Sequence, residues 1–111
     1  MAEERRASPR VSAYLPVRLH PNNQLKVVET LTKNVGAGGA RCVSPTVFPV
    51  SAEVTVEVSL SQGQEPLVLR GRTAWFRLIP ESEQYDLGIA FVDLPPKSKA
   101  RLSTYIDRVK R

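Results

Sequence analysis

Three arginines near the N-terminus, Arg5, Arg6 and Arg10, are the side chains of this sequence best suited to bind a ligand. Guanidinium forks match phosphate oxygens and the O6/N7 edge of guanine, and their flat faces stack on bases. A second concentration lies in Lys33–Arg41, where Gly36, Gly38 and Gly39 account for three of the chain's six glycines. Such a run means positive φ or a close approach by something else. It is not a GxGxxG fingerprint: the third glycine would fall at Arg41, the segment that follows reads as a strand, and no Gly-Lys-Ser/Thr occurs. Taken alone, the loop reads as a glycine-rich turn or bulge at a barrel corner.

Little else offers chemistry. One histidine (His20) and one cysteine (Cys42) cannot form a pair with metal-ligand spacing. His20, beside Pro21, reads as an exposed turn residue, and Cys42, in an apolar strand, as a buried structural thiol. The acidic residues are scattered, without the close pair that acid/base catalysis uses. The inventory argues against an enzyme and against a bound metal.

The elements that must position these groups are mostly strands. Met1 to Tyr14 reads as a flexible arm carrying the arginines, residues 15–94 as the body, and residues 95–111 as a closing helix. Leu15, Val17 and Leu19 alternate with Pro16, Arg18 and His20. Leu25, Val27, Leu31 and Val35 fall in phase in a second strand. Ala40 to Val43 is a third. Val54, Val56, Val58 and Leu60 give the cleanest alternation of the chain. In the next strand Leu67, Leu69, Gly71, Thr73 and Trp75 share a face, and Tyr85, Leu87, Ile89 and Phe91 form a last one. After Pro95-Pro96 the period changes: Leu102, Tyr105, Ile106 and Val109 fall at i, i+3, i+4 and i+7, one face of a helix begun by proline. Six short strands and one amphipathic helix predict an all-β domain, a small antiparallel barrel with the helix packed on it.

With 111 residues, 41% hydrophobic and 24% charged, the chain suits a single globular domain. No apolar run is long enough for a membrane span, the first ten residues lack a signal-peptide core, and the lone cysteine rules out an internal disulfide. The expectation is a cytoplasmic protein. Its net charge of +5 resides in residues 97–111, where six basic side chains face only Asp107; the other ten basic and ten acidic residues balance. That reads as a solvated helix face before it reads as a nucleic-acid patch.

Arg6-Ala7-Ser8-Pro9-Arg10 resembles the RxxxR motif of PilZ domains, and Asn34-Val35-Gly36-Ala37-Gly38-Gly39 their second motif, (D/N)xSxxG. The motifs' order and spacing, the Leu87-Gly88-Ile89-Ala90-Phe91 strand and the C-terminal helix extend the resemblance over essentially the whole chain. It implies a six-stranded antiparallel PilZ-type β-barrel with a C-terminal α-helix that binds cyclic di-GMP and passes the signal to a partner protein. Arg6 and Arg10 would grip guanine and phosphate, while Asn34, Gly36, Gly39 and Arg41 would line the floor. Arg5, just before RxxxR, would favour an intercalated pair of ligands over one. No effector domain is attached, which implies an effector in trans.

Two departures bear on affinity. Asn34 accepts the two donors of a guanine edge less well than a carboxylate. Gly36 replaces the motif's serine and its hydroxyl; losing one or two contacts costs about 1–3 kcal/mol, roughly one to two decades in affinity. Gly36 also motivates a second reading, a PilZ domain that has lost nucleotide binding and works by protein contacts. A third is a basic barrel that binds nucleic acid. Trp75, Phe91, Tyr105 and Ile106 count against it, because their apolar patterns predict core positions rather than the exposed rings a stacking platform needs.

Overall fold

In a computed structural model, residues 10–22 and 25–110 are described. Seven strands, β1 (Arg10–Ser12), β2 (Pro16–Pro21), β3 (Val28–Gly36), β4 (Gly39–Ser44), β5 (Glu53–Val58), β6 (Leu67–Leu78) and β7 (Tyr85–Val92), precede helix α1 (Pro96–Val109). The order β3-β2-β5-β6-β7-β4 closes on itself through a β3–β4 pairing, all antiparallel, with β1 added beside β3. This is the predicted six-stranded barrel with its closing helix, plus one extra strand. Closure leaves no open edge in the six-stranded ring.

The core forms where the alternation is uninterrupted. Val17 and Leu19 of β2, Val54, Val56 and Val58 of β5, and Leu67 and Leu69 of β6 are all buried. Phe48, from the stretch between β4 and β5 that reads in sequence only as a break, is 1% exposed and fills the interior. Helix α1 starts with proline in its first turn and buries Leu102 and Ile106. Tyr105 packs at its edge, whereas Val109, assigned to the same stripe, is exposed in the last turn.

Four expectations are corrected. The first concerns Arg10–Ser12, placed in the arm by sequence: these residues form β1, with Arg10 opposite Gly36, Val11 opposite Val35 and Ser12 opposite Asn34. Three residues are too few for alternation to announce a strand. The second concerns β3, where a bulge at Lys33 shifts the register between Thr32 and Asn34. The buried positions are therefore Val28, Thr32 and Val35, while Leu31 is exposed and Leu25 lies outside the strand. The third concerns β6, where a similar shift between Thr73 and Trp75 carries Trp75 to the outer surface, 40% exposed. His20 also ends inside β2 rather than in the turn, half-buried with Nε2 3.0 Å from Glu57.

Thr32 shows how the chain tolerates the first bulge. Its hydroxyl donates to the Ala13 carbonyl and accepts from Leu15 N at 2.9 Å. Thr32 N donates to the Leu15 carbonyl at 2.9 Å and Ala13 N to the Lys33 carbonyl at 3.1 Å. These bonds pin the segment between β1 and β2, and so fix where Arg10 stands. Thr32→Val should destabilise the domain by about 1–3 kcal/mol, because the isosteric side chain leaves a buried N–H and C=O unpaired. Chemical denaturation reads this directly; an unchanged midpoint would mean that water replaces the hydroxyl.

Candidate functional site

The glycine stretch is the β3–β4 hairpin. Gly36 pairs with Gly39 across the two-residue turn Ala37–Gly38, and Gly38 O accepts a bond from Phe91 N at 3.0 Å, tying the turn to β7. Glycine at 39 serves a close approach: a Cβ there would collide with the Ile89 carbonyl and sit 3.0 Å from Arg10 Nη2.

The register aligns the outward-facing residues in rows. One runs Arg10–Gly36–Gly39–Ala90–Arg72 across β1, β3, β4, β7 and β6. The next runs Ser12–Asn34–Arg41–Gly88–Trp75 over the same strands. Their middle is a shelf of small residues, Gly36, Gly39, Gly88 and Ala90; Ala90 is exposed, whereas Gly39 lies beneath Arg10 and Gly88 beneath the Trp75 indole. Its rim carries Arg10 and Arg72 at the ends of one row, with Asn34, Arg41 and Trp75 in the other. Arg10 Nη1 donates to Asn34 Oδ1 at 3.3 Å, so the two sequence motifs touch. The Trp75 indole lies against Gly88, where a Cβ would strike Nε1, Cε2 and Cδ1. Only a glycine at 88 lets the ring lie this close to the sheet.

Beyond Arg41 stands Asp86, 2% exposed although it points outward. Lys33 Nζ lies 2.9 Å from its Oδ1, and Arg41 Nη2 and Arg77 Nη2 lie 3.1 and 3.4 Å from its Oδ2. Burial pushes the Asp86 carboxyl up, but the hydrogen bonds from Lys33 and Arg41 and their charges outweigh it and hold the pKa below its ordinary value. Cys42, on the inner face of β4, is fully buried, and burial pushes its thiol up to about 12. That matches the inert thiol expected from its apolar strand.

Of the residues singled out by sequence, Arg10, Asn34, Gly36, Gly39 and Arg41 come together on this shelf. Arg5 and Arg6 lie outside the described residues. Sequence reasoning missed Trp75, Arg72, Lys33, Arg77 and Asp86. Trp75 was assigned inward by an alternation that the β6 bulge interrupts. The others carry no motif or spacing that sets them apart in the sequence; strand register alone brings them to one surface. A hollow of about 440 Å³ opens elsewhere, on the outer face of β2, β3 and β5, across the barrel from β4 and β7. It contains none of the motif residues. Among the described residues no group of three or more His, Cys, Asp or Glu could hold a metal. No helix among them is long and apolar enough to cross a membrane.

A family model described as the PilZ domain matches residues 4–108. The chain belongs to the PilZ domain family. Solved structures share its barrel at low sequence identity. The Bacillus subtilis inhibitor of motility, MotI/DgrA, is 20% identical with a TM-score of 0.80, over 96% of this chain and 51% of its own. The PilZ domain of Escherichia coli YcgR, solved with c-di-GMP, is 16% identical with a TM-score of 0.76, over 96% and 92%. MrkH of K. pneumonia, in complex with c-di-GMP, is 13% identical with a TM-score of 0.76, over 96% and 52%. This PilZ domain thus spans about half the length of MotI/DgrA and of MrkH, and nearly all of the YcgR domain. No curated protein matches it by sequence.

Proposed function

We propose that this PilZ domain is a receptor for cyclic di-GMP, binding it on the shelf floored by Gly36, Gly39, Gly88 and Ala90. The observation that carries this reading is the Arg10–Asn34 hydrogen bond, which joins the two family motifs beside the small residues Gly36, Gly39 and Ala90. Arg10 and Arg41 suit the phosphodiesters and the O6/N7 edge of guanine, and Asn34 Oδ1 can accept from its N1–H and N2–H₂ edge. The half-exposed Trp75 ring, at the far end of the same row, offers a stacking face. Arg5 and Arg6, a few residues ahead of β1 in sequence, complete the grip. The conformational change on binding is the signal, read by a partner protein. The YcgR PilZ domain, of nearly the same extent, was solved with this ligand and supports the assignment.

Calorimetric titration with cyclic di-GMP tests the reading. Saturable binding is expected, with two ligands per chain if Arg5 holds an intercalated pair; saturation at one ligand would remove the pair. Absence of heat and of Trp75 fluorescence change up to high micromolar ligand would instead favour the domain that works by protein contacts alone. Gly36→Ser separates the same two readings. Restoring the motif's hydroxyl should tighten binding about tenfold, the equivalent of one hydrogen bond to a charged group. Equal affinity in both proteins would mean that the hydroxyl contributes nothing here.

A further inference from the structure

Asp86 lies one row beyond the shelf and touches none of its floor. It is nevertheless the point on which three strands' cations converge: Lys33 from β3, Arg41 from β4 and Arg77 from β6. One buried carboxylate has both oxygens engaged and faces three positive charges, a local excess of two. Lys33 and Arg41 already engage both oxygens of the buried carboxylate; Arg77 adds a further cation, so the patch carries more positive charge than compensating Asp86 requires. We propose that Asp86 is a positioning residue for the ligand site: it holds Arg41 in the Asn34–Arg41–Gly88–Trp75 row and keeps Lys33 and Arg77 behind it as a cationic rim for a phosphodiester. The inference rests on the reading of the shelf as a nucleotide site.

The geometry gives the mechanism. Arg41 is only one-third exposed: its Nη2 donates to Asp86 Oδ2 at 3.1 Å, while its Nε is buried without a hydrogen-bond partner. A long side chain that would otherwise sample many rotamers is thereby fixed before ligand arrives, and its ordering cost is met in the fold rather than on binding. Lys33 reaches the carboxylate because the β3 bulge turns it outward beside Asn34. Arg77 reaches it because the β6 bulge has already moved this end of the strand into the outward phase. Both bulges serve one carboxylate.

The sign of one substitution decides between positioning and simple neutralisation. Asp86→Asn removes a negative charge beside an anionic ligand. If Asp86 merely offsets the cations, affinity should rise. If it positions Arg41, affinity should fall, by about 5–20-fold, which lies within the couplings found between members of one hydrogen-bonded network. In an Arg41→Ala background the same change should then have less than about a twofold effect, since its target is gone. Asp86→Glu, which keeps the charge, should recover part of the loss; should Asp86→Asn fail to fold, the measurement on ligand-free wild type that follows decides alone. Wild-type protein without ligand supplies an independent arm. The Arg41 side-chain NMR signals should show slow rotation about Nε–Cζ and slow Nε–H exchange. Averaged, fast-exchanging signals would overturn the proposal, as would unchanged or tighter binding by Asp86→Asn. If cyclic di-GMP fails to bind wild type while Arg41 is held, the receptor reading falls and the positioning contact stands.

Discussion

Arg10→Ala should weaken cyclic di-GMP binding about 10–100-fold while leaving the unfolding temperature nearly unchanged. The size follows from what the guanidinium can offer: a hydrogen bond to a charged group contributes about 1.5–3 kcal/mol, and each 1.4 kcal/mol is a factor of ten. The insensitivity of the fold follows from the position of Arg10. It begins a three-residue strand added beside the six-stranded ring, and the substitution leaves the backbone pairing of that strand with β3 in place. The hydrophobic anchor of β1 is the next residue, Val11, which the substitution leaves in place. Arg108→Ala is the control: an exposed arginine on α1 beside Leu60 and Gln64, it removes the same charge outside the shelf and should change affinity little at physiological salt. Parallel losses in both variants would mean that the ligand feels only net charge. Binding that survives Arg10→Ala would end the arginine-clamp mechanism.

The way this site was and was not legible in the sequence has a single physical cause. Strands β2 and β5 could be read residue by residue because nothing interrupts their alternation, and the helix because its apolar spacing is that of 3.6 residues per turn. Strands β3 and β6 each contain one extra residue, Lys33 and Ala74, which leaves no mark in composition. Past each bulge every side chain exchanges faces. Leu31 precedes the β3 bulge and Trp75 follows the β6 bulge; each reads in phase with apolar residues on the other side of its bulge and so lies outside, while the polar Thr32 lies inside, where Ala13 and Leu15 satisfy it. Bulges gather beside binding sites because they re-aim side chains. Here they aim Lys33, Asn34, Trp75 and Arg77 at one surface. The motif residues were legible because short spacings survive any fold; the second half of the site was not, because its members are neighbours only through register. The exposure of Trp75 also removes one argument raised against nucleic acid. The surface it joins, however, is a small shelf between two arginines rather than a groove that tracks a strand.

Gly39→Ala should be the most damaging small substitution in the domain, and its effect should appear without ligand. A methyl group at position 39 would run into the Ile89 carbonyl oxygen, and it would also press on Ala90 Cα and on Arg10 Nη2. Backbone cannot swing aside as a side-chain tip can, so the Gly39–Ala90 pairing must open, and with it the seam where β4 meets β7. Overpacking of this kind costs about 1–3 kcal/mol or more, and for a domain of this size each kcal/mol lowers Tm by roughly 4–8 °C. A fall on the order of 10 °C is therefore expected in a ligand-free melt. Gly63→Ala offers a contrast: that glycine has φ +82 and open space around it, so alanine there meets only left-handed backbone strain, about 1–2 kcal/mol. The comparison bears on function. If Gly39 is required by the barrel itself, its presence in the motif position does not discriminate a nucleotide receptor from a PilZ domain that has lost its ligand; Arg10, Asn34 and Arg41 must do that. Should Gly39→Ala melt like wild type and yet fail to bind cyclic di-GMP, the glycine would instead belong to the ligand, and the case for a receptor would gain the residue that the fold had claimed.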